Sequence, residues 1–300
     1  MEEIFNLYKK VEDPDFIGQD DVAKNILELS KKVEQEEYDQ EKQTKYYQII
    51  RWTVNHLSEK YRESKDLKSY FKLISEIKEI KNTNNTFLVK LTDKLIGKLK
   101  KRKELLNDIV KVCEEITKFC DQTNNISMKS KIQTRLAEIY YIHEHYAKAL
   151  EICNTVIFDL KRYEDNIGLI QLLLLESKIH YATNGISKAK AALTSVKTLI
   201  TKVYVEPKLQ ADIDMHAGIL AAHEKDFNLA YSYFFEAFDV YNIPTQKRKI
   251  KGLRAFQFMI LSKIVGDHLD EVNNVVLSKQ GKDYYGKEVE ALRRDRKSVV

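Results

Sequence analysis

Seven histidines are the first residues in this sequence that could do chemistry, as metal ligands or as proton carriers. His143 and His145 are two positions apart, which on a helix turns them to different faces, whereas His216 and His223 are seven apart and share one. A zinc site needs cysteines or carboxylates at set spacings beside such a pair, and the sequence has no His-Glu-x-x-His motif. The histidines therefore read as structural or surface residues, and no metal is expected. Cys113 and Cys120 are also seven apart. Along a helix that is about 10 Å, too far for a disulfide, which needs Cα atoms within about 7 Å. With Cys153 they read as core thiols.

Other chemistry finds less support. Neither Gly-x-Gly-x-x-Gly nor Gly-x-x-x-x-Gly-Lys occurs, and no nucleophile elbow surrounds any serine, so no catalytic residue and no cofactor is expected. Carboxylates stand mostly beside lysines, as on solvated helix faces. Lys247–Arg248–Lys249 and Arg293–Arg294–Asp295–Arg296–Lys297 are short basic clusters that read as surface, with partner docking as the alternative. The stretch YSYFFEAFDVY could form an aromatic cage, but Tyr231, Phe234, Phe235 and Phe238 fall at helical spacing and read as helix core. Asn84-Asn85-Thr86 and Asn125-Ile126-Ser127 match glycosylation sequons, which matter only in a secreted chain.

The elements that carry these residues are helices. Only 9 Gly and 3 Pro interrupt 300 residues, and Leu, Lys, Glu, Ala and Ile suit helix interiors. A 43% hydrophobic and 32% charged chain is expected to bury a core, and its net charge of +5 is spread along the length, so nucleic acid is not demanded. The first residues, MEEIFNLYKK, lack the plan of a signal peptide, and three cysteines are an odd number, so an intracellular, reduced protein is expected. The longest apolar run, near Ile167 to Leu175, is far short of the ~18 residues of a membrane span.

A repeat emerges from LAEIYYIHEHYAKALEICNTVI, residues 136–157, which has helical spacing and a break near His143–His145. With Ala149 as a marker, Ala189 and Ala230 are its equivalents at separations of 40 and 41 residues. Three residues before each marker stands a large apolar residue, Tyr146, Ile186 or Phe227. Four after come Cys153, Leu193 and Phe234, and seven after come Val156, Val196 and Ala237, all on one helix face. Twelve residues before each marker is a small residue, Ala137, Ser177 or Gly218, which lets the preceding helix approach closely. This is a helix-turn-helix unit longer than the 34-residue tetratricopeptide period. A fourth marker at Val272 has Leu269 and Val276 in register, but Ile260 and Lys279 break the pattern. Breaks are expected at DQTNNIS, TNGIS, YVEPK and NIPTQ. Upstream, DVAKNILELSKKVEQEE, KYYQIIRWTVNHLSEKY, KDLKSYFKLISEIKEI and a segment from Phe87 to Cys120 read as less regular helices, separated in part by the polar connector KNTNNT. The organisation read is therefore irregular helical repeats over 1–130 and regular ones over 131–300, stacked as an all-α solenoid because one hairpin cannot bury both its faces.

At residues 174–238 the wording becomes specific: LLESK, SKAKAALTS, PKLQA, AGI and AYSYFFEAF, in that order. It resembles the PCI family of helical scaffold proteins, and among them the non-ATPase subunits of the 26S proteasome regulatory-particle lid. The resemblance extends more loosely upstream through RLAEIYYIHEHYAKAL and downstream through LSKIVGDHLDEVNNVVLSK. It implies a right-handed solenoid and a non-catalytic scaffold in ubiquitin-dependent proteolysis. The partners it implies are lid subunits, the ATPase ring and the core particle α-ring, in the cytoplasm and nucleus. Relatives continue past the segment matching GKDYYGKEVEALRR into further helices and a winged-helix module, so the PCI end is expected to be absent or truncated here. Two alternatives stand: a PCI scaffold like subunit 2 of the COP9 signalosome, against which LLESK and KAKAALTS weigh, and a tetratricopeptide-type peptide-binding adaptor. Partner-binding residues are not readable from the sequence.

Overall fold

The computed structural model describes Gln48 and residues 106–242, 246–284 and 286–295. The expectations for the segments before Leu106 and for the last five residues lie outside these. Contacts divide the chain into two compact units, Met1–Tyr163 and Glu164–Val300. Every regular element among the described residues is a helix. In the first unit these are α1 (Leu106–Gln122), α2 (Ile126–Ile142) and α3 (Tyr146–Arg162). In the second they are α4 (Asn166–Ala182), α5 (Ile186–Ile200), α6 (Pro207–His223) and α7 (Phe227–Tyr241), then α8 (Gln246–Val265), α9 (Leu269–Leu277), α10 (Lys279–Lys282) and α11 (Lys287–Asp295). The fold is all-α, built of consecutive helix-turn-helix hairpins of the solenoid type.

The even spacing of the helices comes from the turns. Helices α2 to α4 are each 17 residues long and start every 20 residues. One residue in each of six connectors is left-handed: Asn124 (φ 51°), Glu144 (65°), Glu164 (54°), Asn184 (58°), Lys225 (64°) and Asp267 (62°). In five of the six turns the chain closes as a Schellman motif. At the α2–α3 turn, for example, His145 N–H reaches Tyr140 O at 2.8 Å and Glu144 N–H reaches Tyr141 O at 3.1 Å. The next residue caps the following helix: Asn125, Asp165 and Asp226 each accept from a backbone N–H three positions on. The break expected near His143–His145 is this turn, and Asn125 of the sequon is a helix cap. The turns at Glu164, Lys225 and Asp267 were not anticipated, since only the caps Asp165 and Asp226 mark two of them.

The departures from a 40-residue period have local causes. Between α5 and α6 the connector runs over 201–206, and Pro207 then opens α6 at a position where its missing N–H costs nothing. This adds one residue to the second repeat. Helix α8 is 20 residues long, which lengthens the third. Val272 and Val276 are buried on α9, but α9 ends at Leu277, before Lys279 could continue the stripe. Helix α4 is buried almost all round by Leu169, Ile170, Leu172 to Leu175 and Ile179, as suits a helix packed between neighbours. Among the described residues no helix is long and apolar enough to cross a membrane.

The left-handed turns yield a first prediction. Lys225 is exposed and makes its turn bond through the backbone, so glycine there removes the Cβ penalty and keeps the bond. Lys225→Gly is expected to raise stability by about 0.5 kcal/mol, the left-handed cost less the added chain entropy of glycine. Thermal unfolding followed by circular dichroism checks the sign.

Candidate functional site

The register residues occupy two kinds of place. Tyr146, Ile186 and Phe227 are the first residues of α3, α5 and α7, where each is half-buried. Ala137, Ala149, Ser177, Ala189 and Ala230 are wholly buried, and Phe234 nearly so. Two of the positions twelve residues before a marker show what small size is for. The Ser177 hydroxyl of α4 donates to Ala189 O of α5 at 2.6 Å. At Gly218 of α6 a Cβ would stand 2.6 Å from the Phe234 ring of α7, so the ring lies where a side chain would be.

A buried polar cluster joins the hairpins of the second unit. His216 of α6 is 3% exposed, and its Nε2 lies 2.9 Å from Ser177 Oγ. The serine has one proton, already given to Ala189 O, so the imidazole donates Nε2–H and the serine accepts. Ser177 and His216 are thus not a nucleophile with its base, because the proton points the wrong way for the histidine to take it. Burial, helped by the positive charge of Lys178, lowers the His216 pKa to about 4. The seven-residue spacing of His216 and His223 has a structural use: both rings meet Tyr181 edge-on, at 6.1 and 6.0 Å.

A second cluster sits one helical turn away on α6. Asp212 accepts from Tyr241 of α7 and from Lys251 of α8, the latter at 2.5 Å. Burial works to raise its carboxyl, but the bonds from Lys251 and Tyr241 and the charges of Lys251 and Lys178 outweigh this and hold it below the usual carboxylate range. Burial and Asp212 together push the Tyr241 hydroxyl up. Lys197 of α5 donates to Tyr233 of α7 at 2.6 Å. Lys263 of α8 lies 4.4 Å from the centroid of the Tyr231 ring and pairs with Glu271 at 2.6 Å. Sequence reasoning missed the ties of His216, Tyr233, Tyr241 and Lys251 because their partners are 29 to 39 residues away and no spacing rule links them.

The remaining candidates fall out as follows. His143 and His145 cap α2 and α3 at their shared turn. Cys113, Cys120 and Cys153 are free and buried, and burial pushes the Cys113 thiol up to about 12, which leaves it unreactive. Among the described residues no group of three His, Cys, Asp or Glu side chains could hold a metal ion. Phe234 and Phe238 are core, as the helical spacing indicated, but Phe235 is 43% exposed and stacks on Tyr231 at the surface. The side chains of the two basic clusters lie outside the described residues. The most exposed large apolar groups are Tyr204 on the 201–206 connector, Phe158 on α3 and Ile250 on α8.

These features define a class, a helical-repeat protein whose conserved-in-register positions serve hairpin closure and hairpin stacking. Known proteins narrow it. The chain is 34% identical over 184 residues to the 26S proteasome non-ATPase regulatory subunit 11 homolog of Arabidopsis thaliana, a match covering 61% of this chain and 43% of that one. It is 36% identical over 194 residues to 26S proteasome non-ATPase regulatory subunit 11 of Dictyostelium discoideum, covering 64% and 46%. It is 33% identical over 204 residues to the probable 26S proteasome regulatory subunit rpn6 of Schizosaccharomyces pombe, covering 68% and 48%. These proteins are homologues, and they bear the kind of name to which the wording of residues 174–238 pointed. The chain spans about half the length of the curated relatives it matches. No protein-family model matches it. A crystal structure of BtubC from P. vanneervenii superposes with a TM-score of 0.50 over 83% of this chain and 89% of that one, at 12% identity, a likeness of fold alone.

Two predictions follow from the buried contacts. Gly218→Ala favours the helix by about 1 kcal/mol, yet the added methyl drives into the Phe234 ring, which is held in a stack on Phe258 at 5.1 Å. The net effect is a loss of about 1 to 2 kcal/mol in denaturant unfolding, and Gly218→Ala with Phe234→Leu recovers part of it. For His216, the folded pKa of about 4 lies below the ordinary 6.5, so the unfolded chain takes up the proton first as pH falls. Its share of stability is full above pH 6.5 and is lost as the pH drops towards 4, reaching about 3 kcal/mol. Urea unfolding at pH 7 and pH 4.5 is expected to show a smaller acid loss in His216→Gln than in the parent chain.

Proposed function

We propose that this chain is the helical-repeat part of a non-catalytic scaffold subunit of the 26S proteasome regulatory-particle lid, acting in ubiquitin-dependent protein degradation. Its partners in this reading are other lid subunits, the ATPase ring and the core particle α-ring, which it braces against one another in the cytoplasm and nucleus. The observation that carries the proposal is the similarity, at 33 to 36% identity over about two thirds of the chain, to proteins named as proteasome regulatory subunits. The architecture supports it: stacked hairpins offer long continuous surfaces of the sort that repeat proteins use to bind other proteins. The chemistry of the polar clusters supports it too, since Ser177, His216, Asp212 and Lys251 are each engaged in holding helices together.

Purification of the tagged chain from its native cells in the presence of ATP, followed by mass spectrometry, tests the assignment. Recovery of lid, ATPase and α-ring subunits together is the expected result. Recovery of signalosome subunits, or of proteins with acidic tails and no proteasome component, would place the chain with the signalosome scaffolds or with peptide-binding adaptors instead.

A further inference from the structure

The second unit is not equally stiff along its length. From α6 onward one contiguous buried cluster runs through Ala211 and Ala221 of α6, Phe234 and Phe238 of α7, Phe256 of α8, Val272 of α9 and Val289 of α11. Aromatic rings interlock within it, Phe234 on Phe258 at 5.1 Å, Phe238 on Phe256 at 5.4 Å and Phe238 on Tyr284 at 5.3 Å. No residue of α4 or α5 belongs to that cluster. The buried apolar residues of α6 that it leaves out are Ile213, Ala217 and Leu220, and the ring contacts on their side are the edge-on meetings of Tyr181 of α4 with His216 and His223, at 6.1 and 6.0 Å. Rings stacked and interlocked in a close-packed core resist sliding, whereas a seam of small aliphatic groups touched by one tyrosine edge offers fewer obstacles to shear.

The connector across the same place is also the least fastened. Residues 201–206 replace the three-residue Schellman turn, α5 ends on Thr201 in a helical conformation, and the Glu206 side chain caps nothing at the start of α6. Polar ties that cross from α4–α5 to α6–α7 include Ser177 with His216, Lys190 with Glu224, and Lys197 with Tyr233, and the charge of Lys178 acts on Asp212 across the same place. Lys190 and Glu224 are both exposed, so water screens their attraction. Only the Ser177–His216 bond is fully buried, and it is anchored a second time through Ala189 O.

We propose that the second unit bends at the seam between the α4–α5 and α6–α7 hairpins, with the buried Ser177–His216 hydrogen bond as the latch of that joint. Hinges are a few connector residues that absorb backbone rotation, and 201–206 is such a stretch. The latch sits beside the serine-to-Ala189 bond that closes the α4–α5 hairpin, so loosening it couples the joint to the closure of one hairpin. The joint is a property of this chain by itself and stands whatever complex the chain enters.

Distance measurement by pulsed electron spin resonance on the full chain tests the joint. Spin labels go on Thr198→Cys of α5 and Asp270→Cys of α9 for the pair spanning the seam, and on Asp239→Cys of α7 and Asp270→Cys for a pair within the interlocked cluster. All of these positions are exposed, and the native thiols at Cys113, Cys120 and Cys153 are buried from the label. The expected result is a broader distance distribution for the seam pair, which broadens further with Ser177→Ala while the other pair keeps its width. Where Ser177→Ala lowers the helical circular dichroism, His216→Leu serves in its place, since it removes the same bond from the α6 side and leaves the Ser177 bond to Ala189 O intact. Equal widths for the two pairs, or a seam pair that does not respond to either substitution, would overturn the proposal.

Discussion

How closely two antiparallel helices can cross governs the second unit, and the crossing is set where a small residue on one helix faces the other. At Gly218 the absent side chain admits the Phe234 ring to the helix surface. That ring then stacks on Phe258, and Phe238 beside it meets Phe256 and Tyr284, so the placement of one ring carries the following hairpin with it. At the equivalent crossing of α4 on α5 the small residue is a serine, and its hydroxyl closes the contact by donating to the partner helix. One position thus serves by volume in one hairpin and by hydrogen bonding in the next. Overpacking at such a point is costly because a buried aromatic cluster has no free space to give.

Polar groups inside the stack do the work that the aliphatic core leaves undone. Dispersion and area burial hold hairpins together without fixing their register, because aliphatic surfaces are nearly equivalent under small shifts. A buried hydrogen bond is directional, and its loss leaves an unsatisfied group in a dry setting, so it selects one alignment. His216 with Ser177, and Asp212 with Tyr241 and Lys251, select alignments in this way one turn apart on α6, the first against α4 and the second against α7 and α8. For a scaffold this matters more than raw stability: the spacing of surfaces presented to partners is only as well defined as the register beneath them.

The turns set the length of the repeat. A left-handed residue ends one helix and lets the next start within three residues at Asn124, Glu144, Glu164 and Asn184, with 20-residue regularity, and the side chains of Asn125 and Asp165 cap the helix that follows two of these turns. Non-glycine residues accept the strain at Asn124, Glu144 and Asn184 because the two backbone bonds of the Schellman motif and the packing of both helices over-determine the conformation. Where the chain departs from this turn, at 201–206, the period lengthens and the local fastening is lost.

Much of the fold was legible from spacing alone. The helical stripe through Ala149, Cys153 and Val156, its recurrence through Ala189 and Ala230, and the small residues at Ser177 and Gly218 all follow from a period of 3.6 and from side-chain volume, which are local properties of the chain. Breaks showed where polar or Gly/Pro residues clustered, and went unseen at Glu164, Lys225 and Asp267, where the backbone rather than the residue type makes the turn. The wording of residues 174–238 pointed to the relatives. What only the tertiary structure decided was how these stripes meet: that Phe234 fills the space at Gly218, that Phe235 turns outward, and that His216 donates to Ser177. The physical reason is that such contacts join residues tens of positions apart, and their geometry is set by the packing of whole helices, which no local period encodes.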